Sequence, residues 1–426
     1  MSNGQITGLR ALLTPLGQRL LTRLDPTEID ADPLGAATRL RRDPELTGAT
    51  SQVPVTDLVN AALTQARLRG RAREKFGAAA ERMYFTPNGL EQATRRVVAR
   101  YRARRFAATV PASPDLPVGD LCCGIGADLI SMAEAGLPVE GVDLDPFTIE
   151  VARANIEAFG LTDRARVREG DVTQVKPGSY AGVFCDPARR SGRGRVFNPH
   201  AYSPPWPSVL ELVGGAPAAC VKVAPGIPHD LVPEGVTAEW VSVDGEVKEA
   251  ALWFGASADA GTPRRATLLR ARGGQEDPEP IILEPDPGLG APEVRAPGRY
   301  LYEPDGAVIR AHLVAEAAAA VDGALLDPNI AYITSDRLVP TPLCRAYEIT
   351  DVLPFSVKRL RSALRSRDVG TVTIKKRGSA VDVERLRRDL RPSGSRSAVV
   401  VLTRIGERPV CLLCDEVEAP REPEGA

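Results

Sequence analysis

Asp120 closes a short apolar run, Val118-Gly119-Asp120-Leu121, and is followed by Cys122-Cys123-Gly124-Ile125-Gly126 and an amphipathic helical pattern. Strand, glycine turn and helix in that order put Gly124 and Gly126 where open α/β sheets bind nucleotide-like ligands. A dinucleotide fingerprint needs a third glycine at position 129, where Leu129 stands, and would bring a diphosphate over the turn. A carboxylate at the end of the strand repels a diphosphate but attracts an ammonium group, while the helix N-terminus beyond accepts a carboxylate. An amino-acid moiety satisfies both. Seventeen residues after Gly126, Asp143 ends the next strand, placed to accept hydrogen bonds from both hydroxyls of a ribose. Asp171, in Glu169-Gly170-Asp171 after the third strand, stands where an acid accepts from an adenine amine. Amino acid plus adenosine describes S-adenosylmethionine; an α/β domain for another nucleotide is the competing reading.

DLCCGIGAD, GVDLDPFTIEVARANIEAFGL, EGD and VFCDPARR resemble, in order and spacing, the motifs of class I S-adenosylmethionine-dependent methyltransferases over roughly residues 85 to 255. The resemblance implies a Rossmann-like α/β fold with a mostly parallel, seven-stranded sheet. It places Asp120, Cys122, Gly124 and Gly126 around the methionine part of S-adenosylmethionine, Asp143 at the ribose and Asp171 at the adenine. Cys122 stands where glycine is commoner and reads as a small turn residue. Met83 to Gln92 precedes the first strand, where related enzymes place a segment that closes over the donor, so Gln92 is a candidate contact. The plainer reading is that this segment packs N-terminal helices onto the sheet.

The fourth strand runs into Asp186-Pro187-Ala188-Arg189-Arg190. This resembles the Asp-Pro-Pro-Tyr and Asp-Pro-Pro-Arg sequences of methyltransferases acting on nucleobases, with Ala188 in place of the second proline. The resemblance implies that Asp186 accepts a hydrogen bond from an exocyclic amine and directs the nitrogen lone pair at the methyl group. Arg189 and Arg190 are candidates to hold a phosphate or stack on a base; pairing with acids near the cleft is the structural alternative. Methylation at carbon 5 of a pyrimidine needs a cysteine nucleophile. Cys220 lies four residues before Ala224, about 13 Å back at ~3.3 Å per residue, and Cys185 faces away from Asp186 if the strand continues. An Asp-Lys-Glu apparatus for ribose methylation stays open, because Lys222, Lys248 and Glu249 occupy strand-edge regions. Ser203-Pro204-Pro205-Trp206 is similar to a motif of the cap guanine-N2 methyltransferases, as the donor motifs also are. It follows Asn198-Pro199-His200 rather than a buried strand and reads as a substrate-side loop from which Trp206 could stack on a base.

The elements that must position these residues follow from periodicity. Leu9, Leu12, Leu13, Leu16, Leu20 and Leu24 recur at helical spacing, and Thr56 to Arg73 repeats the pattern. Asp25-Pro26, Asp32-Pro33 and Asp43-Pro44 are helix starts. Short apolar runs then alternate with helical ones as far as Val223, giving a parallel α/β sheet, and three stretches between Ala238 and Leu269 pair antiparallel at its edge. The expected organisation is an N-terminal helical region over 1–105, a methyltransferase domain over 106–272, an acidic Pro/Gly linker over 273–297 and a separate α+β domain over 298–426.

GRYLYEPDGAVIRAHL, VGTVTIKKRGSAVD and SAVVVLTRIGERPVCLLCDE resemble the THUMP-like domain of a group of bacterial methyltransferases, which implies RNA binding. Lys375, Lys376 and Arg377 sit at a strand-to-turn junction fit for a phosphate. Net charge is only -1, but residues 64 to 105 hold twelve basic residues against three acids, and Lys358 to Arg408 fifteen against five. Two such stretches are a footprint for RNA, or arginines that solvate helices. Seven cysteines in 426 residues fit free thiols, and Cys411 and Cys414 fall on opposite strand faces with no second pair nearby, so no metal is expected. No apolar run spans a membrane, and no secretory pattern opens the chain, so a cytoplasmic protein is expected. The reading that results is a methyltransferase modifying a base, through its exocyclic amine, in tRNA or rRNA. The alternatives are methylation of a small molecule or protein, and an RNA-binding scaffold without catalysis. Oligomeric state is not legible.

Overall fold

A computed structural model describes residues 3–47, 54–111, 113, 115–188, 190–191, 194–195, 202–271 and 274–417. The chain divides into two compact units. The first comprises Met1–Glu239, Glu249–Pro263 and Leu269–Pro280; the second comprises Trp240–Lys248, Arg264–Leu268 and Ile281–Ala426.

The first unit begins with α1 (Asn3–Leu12), α2 (Pro15–Thr22), α3 (Pro26–Ala31), α4 (Pro33–Arg41), α5 (Pro44–Thr47) and the long α6 (Val55–Phe76). The leucine pattern from Leu9 to Leu24 is split, because the Thr14 side chain accepts from the Gly17 amide at 3.2 Å and starts a new helix at Pro15. Asp25 and Asp32 cap α3 and α4 in the same way, accepting from Thr27 N at 2.8 Å and Gly35 N at 2.9 Å. Leu9, Leu12, Leu20, Leu58 and Val59 from these helices share one core with Phe85, Leu129 and Phe184, so the helical region is continuous with the sheet that follows.

Then come α7 (Pro87–Gln92), α8 (Arg96–Thr109), β1 (Val118–Leu121), α9 (Ala127–Glu134), β2 (Val139–Asp143), α10 (Pro146–Phe159), β3 (Ala165–Glu169), β4 (Gly182–Cys185), α11 (Trp206–Gly214) and β5 (Ala218–Val223). They are followed in sequence by β6 (Thr237–Val243), β7 (Glu246–Gly255), β8 (Arg264–Leu269) and β9 (Ile281–Leu283), of which β9, most of β6 and β8 and the start of β7 are assigned to the second unit. Strand order is β9-β8-β6-β7-β5-β4-β1-β2-β3. The pairs among β1 to β5 are parallel, whereas β7 runs antiparallel to β5 and β9 to β8, so the sheet is mixed. The stretch expected to be a bare linker therefore contains a strand, β9. The chain leaves β1 toward β2 and β3 on one side and returns to β4 and β5 on the other. That reversal opens a crevice at the carboxyl ends of β1 and β4.

The second unit holds a seven-stranded sheet. Its elements are β10 (Tyr300–Pro304), α12 (Gly306–Arg310), α13 (Val314–Ala320), β11 (Ala324–Asp327), β12 (Ile330–Ser335), β13 (Cys344–Pro354), α14 (Val357–Ser366), β14 (Val369–Lys376), α15 (Val383–Leu390), β15 (Arg396–Ile405) and β16 (Arg408–Glu416). Their order is β11-β12-β10-β13-β16-β15-β14. One face carries Leu301, Tyr332, Leu412 and Cys414; the other packs Cys411 and Leu413 against Leu360 and Leu364 of α14 and Leu386 and Leu390 of α15. Cys411 and Cys414 lie on opposite faces, as strand alternation requires.

Candidate functional site

Leu121 pairs with Cys185 in the β1–β4 register, and the Asp186 amide donates to the Leu121 carbonyl at 3.3 Å, so the glycine turn and the Asp-Pro motif sit side by side. Between them lies a cavity of about 920 Å³. Its wall includes Asp120, Cys122, Gly124, Asp143, Asp186, Pro187 and Gln92, most of the residues that the sequence singles out. Gly126 opens α9 directly behind, with φ +82°.

The turn has a backbone reason for its composition. Gly124 has φ +54° with open space around a would-be Cβ, so the conformation, not crowding, requires glycine there. Cys122 adopts φ +69°, which explains why glycine is the commoner residue at this position. Asp143 Oδ2 accepts from the Gly124 amide at 2.9 Å and its Oδ1 from the Asp145 amide at 3.1 Å, which ties the second strand's acid to the turn.

Asp120 is 1% exposed and lines this cavity, yet neither carboxyl oxygen has a hydrogen-bond partner among the described residues. Burial first, then the nearby Asp128 and Asp186, push its pKa well above the ordinary carboxylate range. An isolated buried carboxyl is costly unless a cation or donor meets it. The amino group of S-adenosylmethionine supplies both, so the residues present fit the donor that the motifs imply. Glu91, Asp120, Asp128, Asp143, Asp145 and Asp186 contribute six acids to the wall, and among the described residues no Lys, Arg or His lines it. A diphosphate cofactor would be repelled by these carboxylates.

Behind the wall runs a chain of buried polar contacts. Lys222 Nζ donates to Asp186 Oδ2 at 2.5 Å and to Thr94 Oγ1 at 2.9 Å, and Thr94 Oγ1 donates to Asp128 Oδ2 at 2.8 Å. Arg102 bonds both Asp128 and Glu249. Burial disfavours the Arg102 guanidinium, but Glu249 and Asp128 overcome this and raise its pKa. Lys222 and Glu249 are buried and absent from the cavity wall, and Lys248 pairs with Glu246 at 2.6 Å. Among the described residues no Asp-Lys-Glu set lines the cavity. Nor do Cys185 and Cys220 line the cavity. The Cys185 thiol is raised well above its usual pKa, first by its hydrogen bond with Cys122 and then by burial, and burial pushes the Cys220 thiol up as well.

The segment before the first strand forms one side of the cavity, with Thr86 to Gly89 and Glu91 to Ala93 in the wall. Two buried amides that the sequence reading missed hold it there. Asn155 accepts from the Tyr84 amide at 2.6 Å and donates to the Tyr84 and Ile125 carbonyls at 3.0 and 2.9 Å. Gln65 exchanges hydrogen bonds with the Phe85 backbone at 2.7 and 2.9 Å. Their only signal in the sequence is a polar residue at an apolar position of each helix. Lys75 donates to the Leu90, Glu91 and Ala93 carbonyls at 2.8, 2.7 and 3.1 Å, where α7 ends. Burial, then Lys222 and Arg95, lower its pKa to about 8.

Several of the expected site residues lie elsewhere than in this cavity wall. Asp171 is not among the lining residues: its Oδ1 accepts from Thr173 Oγ1 at 2.8 Å and the Thr173 amide at 2.9 Å, bonds that lower its pKa and close its own turn. Trp206 is 3% exposed at the start of α11 and presents no free ring for stacking. Ser203 nevertheless lies beside the Asp-Pro motif, since Ala188 and Ser203 exchange backbone hydrogen bonds at 2.8 and 3.0 Å. Arg189 lies outside the described residues, and Arg190 is described only as backbone in a two-residue strand, Arg190–Ser191.

In the second unit Lys375 donates to Glu303 Oε2 at 2.9 Å, Arg377 lies 4.0 Å from Glu303 Oε1 and over the Tyr332 ring, and Lys376 donates to the Val381 carbonyl at 3.0 Å. That triplet is largely engaged. The basic stretch in the first unit is engaged too: Arg95 pairs with Glu74, Arg96 with Glu134 and Glu276, Arg100 and Arg104 with Asp277, and Arg105 with Glu239 and Asp259. By contrast, Lys358, Arg359 and Arg365 on α14, and Arg388 and Arg391 at the end of α15, are exposed with no acid in ion-pair contact among the described residues. No cluster of metal-ligating residues occurs, and no helix is long and apolar enough to cross a membrane, among the described residues.

An open α/β sheet with an acidic cavity and an orphaned carboxyl at its switch point defines a protein that binds a cationic nucleoside-like donor. Comparison with known proteins gives the particular family. A methyltransferase-domain model matches residues 118–189, a THUMP domain-like model residues 344–416, and a domain of unknown function residues 5–52. An uncharacterized S-adenosylmethionine-dependent methyltransferase of Mycobacterium tuberculosis is 38% identical over 348 residues, covering 80% of this chain and 91% of that one. The chain belongs to the S-adenosylmethionine-dependent methyltransferases, with S-adenosylmethionine as cofactor. A solved protein from Porphyromonas gingivalis W83, described as a methyltransferase, shares the fold over 93% of this chain and 100% of its own, with a TM-score of 0.70 and 21% identity. Shorter matches include an uncharacterized RNA methyltransferase of Parasynechococcus marenigrum, 33% identical over 92 residues, which cover 21% of this chain and 20% of that one.

Proposed function

We propose that this protein methylates a base in a structured RNA, tRNA or rRNA, at an exocyclic amine. The observation that carries this reading is Asp186. It directly follows β4, in the wall of the donor cavity, with Oδ2 fixed by Lys222, and its Oδ1 has no partner among the described residues. An acceptor held at that place receives the N–H of an incoming amine and turns the nitrogen lone pair toward the methyl group. S-adenosylmethionine carries the methyl group on a positive sulfonium and brings its own leaving group. The chain's residues therefore bind, orient and exclude water. Asp120 takes the ammonium group of the donor, Gly124 and Gly126 let the turn approach its carboxylate, Asp143 holds the ribose, and Gln92 lines the opposite side.

RNA as partner is supported by the THUMP domain-like match and by the unpaired cations of α14 and α15. It is supported more distantly by relatives whose names include RNA and rRNA methyltransferases. Phosphate contacts of this kind position a substrate without specifying a base.

The test is mass spectrometry of RNA nucleosides from cells lacking the gene, complemented with the wild type or with Asp186→Ala. A methylated nucleoside that disappears and returns only with the wild type supports the reading. Labelled methyl transfer from the pure protein into protein or small molecules, with RNA unlabelled, overturns it.

A further inference from the structure

The methyltransferase motifs do not build the donor cavity alone. Its wall also takes Gln5 and Ile6 from the start of α1, together with Pro146, Phe147 and Thr148 from the start of α10. α1 packs against both α6 and α10. Arg10 Nη2 lies 3.3 Å from Glu150 Oε2, and Ile6 and Pro146 each stand one helical turn before these two residues. The two helices therefore bring their opening turns to the cavity together. The end of the cavity they reach is marked by Asp143, three residues before Pro146 and placed for a ribose, whereas Asp186 marks the methyl-acceptor end.

α1 is set firmly in this position. Leu9, Ala11 and Leu12 are buried in the core that also holds Ile149 and Val151 of α10. A Cβ on Gly8 would lie 3.1 Å from Ala61 Cβ and 3.2 Å from the Asp57 carbonyl oxygen, so α1 meets α6 at close range. In α2, Gln18 donates to the Leu12 carbonyl at 2.6 Å and to the Tyr84 hydroxyl at 2.7 Å, which joins these helices to the segment on the other side of the cavity. Ile6 itself is only half-buried. An apolar side chain left partly open in a cavity wall gains by covering carbon atoms of whatever fills the cavity.

We propose that α1 is a component of the donor-binding site, with Ile6 covering the nucleoside half of S-adenosylmethionine at the end marked by Asp143. The N-terminal helices then do more than pack beside the sheet: they keep water from the hydrogen bonds between Asp143 and the ribose, which a drier surrounding strengthens. The part of the ligand recognised is common to S-adenosylmethionine and S-adenosylhomocysteine. This rests on the donor lying in this cavity but not on the identity of the acceptor.

Calorimetry and amide hydrogen exchange on the full chain, with S-adenosylmethionine and S-adenosylhomocysteine as probes, test it without any acceptor. Ile6→Ala weakens both probes by about fourfold, the scale of one methylene taken out of water, and leaves the ratio of their affinities unchanged because both carry the same nucleoside. Ile6→Leu, which keeps the volume, retains most of the affinity. In the wild type, either probe slows exchange of the α1 amides from Thr7 to Leu12. A purely structural role for Ile6 would lower the melting temperature of the donor-free protein and leave α1 exchange indifferent to the probes. If Ile6→Ala does not fold, the wild-type exchange decides. Unchanged affinity in folded Ile6→Ala, or α1 exchange that stays the same while the amides from Gly124 to Leu129 slow, overturns the proposal. Binding of neither probe overturns the donor assignment as well, whereas unlabelled RNA in the assay above leaves these readouts intact and defeats only the choice of acceptor.

Discussion

Asp120 places a liability in the donor-free fold. An unfolded aspartate ionises near pH ~4, while the folded Asp120 does so only at higher pH, because burial and the acids Asp128 and Asp186 oppose its charge. Between those values the folded state holds a proton that the unfolded chain has lost, so stability of the donor-free protein falls as pH rises through that window. Asp120→Asn removes that slope and raises the melting temperature of the donor-free protein at neutral pH. The same change weakens donor binding by about tenfold to a hundredfold, the worth of a hydrogen bond to a charged group. Thermal unfolding across pH, with and without S-adenosylmethionine, reads both effects; a donor-induced rise that survives the substitution counts against Asp120 as the ammonium partner. At Gly124 the cost is conformational. Gly124→Ala meets no atom within 4 Å but must hold φ +54°, so it destabilises by about 1 kcal/mol in denaturant unfolding.

Among the elements, α7 decides whether the cavity has a second side. Gly89 lets it approach the turn: a Cβ there would lie 2.4 Å from Ile125 Cγ2 and 2.7 Å from the Thr86 hydroxyl that caps the helix. Gly89→Ala therefore displaces α7 and lowers donor affinity more than it lowers melting temperature, a split that calorimetry and thermal unfolding measure together. The other end of α7 depends on Lys75, whose folded pKa of about 8 lies below the ordinary lysine value of 10.5. Between the two, the unfolded chain binds more protons than the folded one, so this residue's contribution makes stability rise with pH. Denaturant unfolding of wild type and Lys75→Met should show that rise as a difference between them, confined to that window. A difference independent of pH would mean that Lys75 acts on α7 through packing alone.

For the whole molecule, charge segregation along the sequence has two different outcomes. The arginines between residues 64 and 105 are mostly matched by acids, some as distant in sequence as Glu239, Asp259 and Asp277. Those between Lys358 and Arg391 leave a basic surface on α14 and α15, because the leucines of these helices face the sheet and their cations face solvent. If RNA is the partner, replacing Lys358 and Arg365 by alanine lowers the slope of log affinity against log salt by about one for each phosphate no longer neutralised. Lys375→Ala has a smaller effect, since its ammonium is held by Glu303. Equal slopes for all three proteins would remove α14 and α15 from the interface.

The donor fold was legible in the sequence because its requirements are local. A glycine turn between strand and helix, an acid at each of two strand ends and an Asp-Pro after the fourth strand are each set by a few consecutive residues, and the structure brings Asp120, Cys122, Gly124, Asp143, Asp186 and Gln92 to one cavity. Helix starts at Asp-Pro were legible for the same reason. What depends on partners far along the chain was not. Only the folded chain turns Trp206 inward, gives Lys375 to Glu303, closes the Asp171 carboxylate on its own turn and puts Lys222 against Asp186. Residue type tells what bonds a side chain can make, but competition among neighbours from distant segments decides which of them it keeps.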